Sequence, residues 1–105
     1  MSKLKIENDE TFDEIEEFLK VAADYTRLKI LYTLLDGEMC VCDIQERIDA
    51  SQSLVSHQLR VLKKADLVRG RKEGKHCFYS LSDEHVIRLL ELVYEHVIQE
   101  SKDNE

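Results

Sequence analysis

Two histidines near the carboxyl end of this 105-residue chain have a spacing that suits metal binding. His85 and His96 are close to three helical turns apart, so a helix places both imidazoles on one face. They would also lie roughly 16 Å apart along the axis, too far to share one ion within a single copy. Antiparallel pairing of two copies would bring Asp83 and His85 of one copy opposite His96 of the other. Imidazoles with carboxylates suit zinc, with cobalt or nickel as alternatives. The competing interpretation is that both histidines are ordinary residues of an amphipathic interface.

The cysteines offer a second possible site. Cys40 and Cys42 are two residues apart, so their thiolates converge only where the start of a helix is non-helical. Soft metals such as cadmium, lead or trivalent arsenic would want a third thiolate. Residues 1–39 contain neither Cys nor His, and Cys77 is predicted to lie apart, on a hairpin. The pair is therefore an incomplete soft-metal site, a thiol switch working by oxidation or persulfidation, or two small side chains that pack near a helix start.

The charge of the chain is distributed unevenly. Residues 51–80 contain seven Lys or Arg and two Asp or Glu, a net charge of +5. Residues 1–50 carry a net charge of −7 and residues 81–105 a net charge of −5, which together give the overall −7. An acidic chain is not expected to coat DNA generally, so a polyanion is expected to bind only at the positive segment.

A helix-turn-helix is predicted where the positive segment begins. A short helix from about Cys42 or Asp43 to Ile48 is followed by a three-residue turn, and Ser51 is a good N-cap for the next helix. The apolar side of that next helix consists of Val55, Leu59 and Leu62. Its outer side lacks the Glu/Lys pairs of an ordinary solvated helix and consists of groups that can donate to phosphates and base edges: Gln52, Ser53, Ser56, His57 and Arg60. A merely polar surface helix is the alternative.

A basic hairpin follows this helix. Residues 67–71 and 76–81 are predicted strands, and Gly74 can supply the positive φ of the turn between them. The cations Arg71, Lys72 and Lys75 cluster at its tip together with His76. A reading helix followed by a basic hairpin is a winged helix-turn-helix, which we favour over a charged but inactive hairpin. No Gly-rich phosphate loop or Ser/His/Asp series suggests an enzyme; a protein-interaction or enzymatic domain with no operator is the rival interpretation.

The last helix, predicted from about Asp83 to Gln99, has apolar residues on nearly all its faces. A domain of this size cannot surround its own terminal helix, so the extra face is expected to meet a second copy. The first helix, from Asp9 or Thr11 to about Ala22, would support this homodimer. Two reading helices would then lie about one DNA turn apart and match a palindromic operator in double-stranded DNA.

Length and composition indicate a single domain. The chain is 43% hydrophobic and 35% charged, with no proline, which favours a mainly α fold with a small β-hairpin. Residues 9–100 are assigned to the domain, and residues 1–8 and 101–105 to flexible tails. No apolar run approaches the roughly 20 residues of a membrane span, and no signal core is present, so a cytoplasmic protein without membrane contact is expected.

With these features, the sequence resembles the ArsR/SmtB family of metal-responsive winged-helix repressors. The resemblance is carried by residues 23–31, 40–44 and 51–59 and by the terminal helix with Asp83, His85 and His96. Asp24 can cap a second helix, which is predicted to end at Asp36 and Gly37. Tyr25 stands where the family usually has proline, which affects only the turn into this helix. The resemblance implies a dimer that represses an operator-promoter and releases it when an effector binds.

The resemblance also bears on both candidate effector sites. The family pattern on the last helix is Asp-x-His followed by His-x-x-Glu or His-x-x-His. Here Gln99 occupies the final position, and the carboxylate of Glu100 follows one residue later, where a helix still places it on the same face as His96. Gln99, Glu100 or water would then complete the site. Related sensors supply a third thiolate two residues beyond the cysteine pair, where this chain has Ile44 and Gln45, or from an N-terminal arm.

Overall fold

A computed structural model describes residues 8–103, and the side chains of residues 8–101. The helices are α1 (Asp9–Ala22), α2 (Tyr25–Thr33), α3 (Val41–Ile48), α4 (Gln52–Lys64) and α5 (Glu84–Asp103). The strands are β1 (Met39–Cys40), β2 (Val68–Glu73) and β3 (His76–Leu81). The prediction of a mainly α fold with a winged hairpin is confirmed. Residues 1–7 and 104–105, predicted to be parts of flexible tails, lie outside the described residues.

Four of the helices begin at a side chain that accepts a backbone N–H. Asp24 accepts the N–H of Arg27 at 3.1 Å, and Ser51 accepts that of Leu54 at 3.1 Å, so both predicted N-caps are confirmed. Asn8 caps α1 and Asp83 caps α5 in the same way. Such a cap contributes about 1 kcal/mol by satisfying a donor at the open end of the helix.

Three boundaries in the structure differ from the predicted ones. Asn8, which the sequence placed in the N-terminal tail, belongs to the folded domain because it caps α1. Helix α5 continues to Asp103, beyond residue 100 where the C-terminal tail was predicted to begin. Helix α2 ends at Thr33, and its last turn tightens into a 3-10 turn, Leu34–Asp36, before Gly37 at φ 120°. The chain therefore leaves α2 one turn earlier than the sequence suggested.

Helix α4 contributes the centre of the core. Its residues Val55, Leu59 and Leu62 are fully buried, as their spacing predicted, and they pack with Ile30 and Leu31 of α2. Burial of an aliphatic side chain of this size stabilises the fold by about 1.5–3 kcal/mol. The opposite face of α4 is thereby held outward on a rigid support.

Replacing Leu59 with alanine is expected to lower the free energy of unfolding by about 2–5 kcal/mol, because a fully buried leucine leaves a cavity. Leu54→Ala on the same helix is the matched control, since Leu54 is 40% exposed and should cost far less. Urea unfolding followed by circular dichroism measures both variants. Equal losses would show that α4 does not pack as described.

The sheet has the strand order β1-β3-β2, with both pairings antiparallel. Strands β2 and β3 form the predicted hairpin, and Gly74 at its tip has φ 64°. Strand β1 was not predicted, because two residues show no alternation of apolar and polar side chains. It pairs with the wing through Met39 opposite Tyr79 and Cys40 opposite Phe78. The start of α3 is therefore fixed against β3.

The two halves of α5 differ in their surroundings. Val86 and Leu90 are buried in the core, and the Tyr32 hydroxyl donates to the Leu90 carbonyl oxygen at 2.7 Å. Every residue from 91 to 101 is exposed. None of the helices in the described part of the chain has the length and apolar character needed to cross a membrane.

Candidate nucleic-acid interface and effector sites

The outer face of α4 is open to solvent. Gln52, Ser53, His57 and Arg60 are exposed and Ser56 is half-buried, all on the side opposite the core residues of the helix. These are the five side chains that the sequence predicted to read DNA. Short hydroxyls, an amide, an imidazole and a guanidinium on one rigid helix face can hydrogen-bond base edges and phosphates.

Arg27 fixes the orientation of this helix, and the sequence did not single it out. Its Nε donates to Oε1 of Gln58 at 2.7 Å, and its Nη1 donates to the carbonyl oxygen of Val21 at 3.2 Å. One guanidinium thus ties α4 to the end of α1, while Asp24 lies 4.0 Å from its Nε. Arginine suits this position because its planar fork offers several donors at once. The available signal in the sequence was an arginine three residues after a predicted Asp N-cap.

The wing cations differ in how they are paired. Arg71 donates to both carboxylate oxygens of Glu38, at 2.7 and 3.1 Å, and to Glu73 at 2.7 Å. Its guanidinium also lies 4.9 Å from the ring centre of Phe78. The hydrogen bonds from Arg71 hold the pKa of the Glu38 carboxyl below its usual value. Arg71 therefore holds the wing against the segment before β1, and a phosphate would have to compete with two carboxylates for it.

Lys72 and Lys75 are exposed at the wing tip, and in residues 8–101 neither forms an ion pair. They are the wing cations best placed to bind phosphates. The predicted DNA contacts of Lys72 and Lys75 remain predictions, as does that of Arg71.

A cleft of about 320 Å³ separates α4 from the wing, and we call it the reading cleft. Four predicted DNA-binding residues line it: Gln52, Ser56, Arg60 and Lys75. His76 and Tyr79 of β3 also line it, and no Asp or Glu does so within the described residues. Burial raises the pKa of Tyr79, as does its contact with Cys77, while the Arg60 charge acts in the opposite direction. The cleft is thus positively charged and rich in hydrogen-bond donors.

All three cysteines also line the reading cleft. Cys40 is the non-helical N-cap of α3, with φ −80° and ψ 164°, and Cys42 lies in the first turn of that helix. The expectation that Cys77 lies apart from this pair is wrong, because β1 pairs with β3 and brings Cys77 to the same cleft. Within the described residues, however, no three Cys, His, Asp or Glu side chains are close enough together to hold a metal ion.

The metal ligands predicted on α5 are exposed and spread along the helix. Asp83 accepts the Val86 N–H at 3.1 Å, and this hydrogen bond lowers the pKa of the Asp83 carboxyl. Nδ1 of His85 lies 3.6 Å from Oδ1 of Asp83, so these two side chains lie next to each other at the start of the helix. His96 and Glu100 are also exposed, in the second half of the same helix. Imidazole and carboxylate donors suit zinc. Among the side chains that the structure describes, however, these four do not come together in a group that could hold a metal ion.

The exposed half of α5 is apolar as well as solvated. Leu92, Val93, Tyr94 and Val97 are between 47% and 63% exposed, and Ile98 is 40% exposed. Helix α1 adds three similarly exposed side chains: Phe12, Ile15 and Leu19. Monomeric proteins rarely expose this many large apolar residues on neighbouring turns, so both helices offer surface for an interface.

Comparison with known proteins gives consistent matches. Residues 24–69 match the model of the family described as bacterial regulatory protein, arsR family. The chain is 45% identical over 84 residues to the cadmium resistance transcriptional regulatory protein CadC homolog of Staphylococcus aureus, a match spanning 79% of this chain and 69% of that protein. It is 42% identical over 88 residues to the transcriptional repressor SmtB homolog of Synechocystis, a match spanning 84% of this chain and 66% of that protein.

Among solved structures, the chain resembles the homodimeric winged helix-turn-helix DNA-binding domain of Mb0332 from Mycobacterium bovis. The TM-score is 0.83 at 30% identity, and the match covers 100% of this chain and 96% of that one. The CadC and SmtB homologs are transcriptional regulators rather than enzymes, as the sequence predicted.

Proposed function

Because the chain belongs to the ArsR family of bacterial transcriptional regulators, we propose that it is a homodimeric repressor that releases its operator when a metal ion binds between the two α5 helices. The observation that carries the DNA-binding part is the reading cleft, where the polar face of α4 and the wing cation Lys75 meet with no carboxylate among the lining residues described. A polyanion is the ligand that such a surface favours.

The two sides of the cleft have different tasks in this proposal. Ser53, Ser56, His57 and Arg60 read base edges from α4, since a helix fits the major groove. Lys72 and Lys75 bind phosphates from the wing, which fixes the register of the protein on the duplex. Arg71 acts mainly as a positioning residue, because Glu38 and Glu73 already satisfy its donors.

The exposed apolar faces of α1 and α5 support the homodimer. Antiparallel pairing of two α5 helices would cover Leu92, Val93 and Val97, which the described residues of one copy leave exposed. A two-fold axis would also present two α4 helices to one face of the DNA, as a palindromic operator requires.

The same pairing would complete the metal site. Asp83 and His85 of one copy would face His96 and Glu100 of the other, which supplies two imidazoles and two carboxylates. Zinc fits this donor set, with cobalt or nickel as alternatives. The bound ion would supply a bridge between subunits that favours one dimer angle over another. In this proposal α5 carries that angle to the rest of the domain through Val86 and Leu90, which belong to the same buried cluster as the core residues of α4, and the expected coupling is about 1–3 kcal/mol.

The proposal is tested with a duplex selected by the protein from random-sequence DNA. The protein is expected to select a palindrome, to bind it more weakly as salt rises, and to release it when zinc is added. Fluorescence anisotropy measures the affinity, and light scattering the mass of the complex. Failure to retain any duplex at low salt would defeat the DNA-binding proposal, and undiminished binding in zinc, cobalt and nickel would defeat the metal proposal.

A second candidate is a thiol switch at Cys40 and Cys42, which acts through a soft metal or through oxidation or persulfidation. The supporting observation is that Cys40 lies outside the helix, so both thiols reach the reading cleft. Titration of the Cys40→Ser, Cys42→Ser protein with cadmium and with zinc separates the two candidates. Unchanged release by both metals would leave only the α5 site.

A further inference from the structure

The reading cleft contains a third free thiol, which the proposed function does not use. Cys77 lies in β3, is half-buried, and lines the cleft opposite α4. Its Sγ lies 3.8 Å from the Tyr79 hydroxyl. Arg60 is close enough to Tyr79 for its charge to oppose the rise that burial causes in the pKa of that hydroxyl. Lys75 and His76 line the same cleft just before Cys77 in the chain. Partly exposed thiols in positively charged surroundings are the ones that react selectively.

We propose that Cys77 is a modification site at which a small anionic disulfide forms a mixed disulfide and thereby prevents DNA from binding. The inference rests on the proposed operator binding at the same cleft. The cleft volume, about 320 Å³, is at the lower end of pockets that hold small organic ligands. Its cations attract an anionic reagent and its thiol captures the reagent.

The reaction is an ordinary thiol–disulfide exchange. The Cys77 thiol gives its proton to solvent, and the thiolate attacks one sulfur of the disulfide. The S–S bond of the reagent breaks as the bond from Sγ forms, and the other half leaves as a thiolate that takes up a proton. Cys77 is oxidised and the departing half is reduced, so the electrons balance. An excess of free thiol reverses the step.

The position of Cys77 explains why the adduct would displace DNA. A carboxylate-bearing group attached there would lie between Arg60 on α4 and Lys75 on the wing, which line the same cleft. It would fill the space between the reading helix and the wing and neutralise the charges that attract phosphate. Cys40 and Cys42 lie at the start of α3, on another wall of the cleft. By the same geometry, bound DNA would protect Cys77 from the reagent.

The experiment uses the full chain and glutathione disulfide as the probe. Mass spectrometry is expected to find the adduct at Cys77, and operator affinity is expected to fall at least about tenfold and to recover with dithiothreitol. Cys77→Ser should bind the operator as tightly as the unmodified protein does, and glutathione disulfide should not change that affinity. Cys42→Ser is the matched control, since it removes an exposed thiol of the same cleft and should stay sensitive.

One arm needs no DNA, so it tests the site even where operator binding fails. The rate of modification at Cys77 is expected to be higher with anionic glutathione disulfide than with neutral hydroxyethyl disulfide. The difference should shrink in high salt and in Arg60→Ala. Modification at Cys40 or Cys42 instead, equal rates for the two reagents, or an adduct at Cys77 that leaves operator affinity unchanged would each overturn the inference. Absence of operator binding by the untreated protein would instead count against the proposed function.

Discussion

His96→Ala is expected to abolish metal-induced release of the operator while leaving the affinity of the metal-free protein for DNA unchanged. His96 is exposed, as is every residue from 91 to 101, so its removal should not disturb the fold. In the proposed dimer His96 supplies the imidazole that completes the metal site with Asp83 and His85 of the other copy. The wild type should lose about 5–150-fold in operator affinity when zinc is added, and the variant should lose none.

The control for this prediction is another histidine. His57→Ala, on the reading face of α4, should show the opposite pattern: weaker DNA binding without metal but intact release by zinc. His85→Ala should behave as His96→Ala does. Anisotropy titrations with and without zinc measure all three. If both α5 variants still dissociate with zinc, the ion binds elsewhere, and the reading cleft thiols become the first alternative.

A finer comparison concerns the fourth ligand. Glu100→Gln should weaken zinc binding if this carboxylate coordinates the ion, whereas Gln99→Ala should have little effect. Helix α5 continues through residue 100, so Glu100 is one helical turn beyond His96 and on the same face. A loss of zinc affinity in Gln99→Ala alone would assign that position to the site instead.

Arg60→Ala is expected to weaken operator binding by about 1–3 kcal/mol, or roughly 5–150-fold. Arg60 is exposed, lines the reading cleft, and faces Lys75 across it. Its loss removes a charged donor without leaving a cavity, because the core of α4 is on the other side of the helix. The slope of log affinity against log salt adds information: it should fall by about one for a phosphate contact and change less for a base contact.

Arg88→Ala is the matched control, because it removes the same charge from an exposed position on α5, away from the cleft. Thermal unfolding of both variants checks that the fold is intact. Equal affinity of Arg60→Ala and the wild type would remove α4 from the reading role. Equal losses in the two variants would mean that only the net charge of the protein matters.

The sequence alone determined the helical framework and the location of the proposed nucleic-acid surface. The spacing of Val55, Leu59 and Leu62 fixed which side of α4 is buried, and so which side is free, because a helix repeats every 3.6 residues. Ser51 and Asp24 marked helix starts because their side chains satisfy open backbone donors. The positive charge of residues 51–80 pointed to the same segment. Each of these signals depends only on residues that are close together in the chain.

Only the tertiary structure decided what the distant segments do to one another. The pairing of β1 with β3 brought Cys77 to Cys40 and Cys42, although two strand residues carry no readable pattern. Arg71 looked like a free DNA contact until Glu38, 33 residues earlier, was placed against it. Arg27 and Gln58 meet in the same way across 31 residues. Contacts of this kind depend on how the elements pack against one another, and the spacing of neighbouring residues does not predict them. The pairing of β1 with β3 is the contact that places the three cysteines in one cleft.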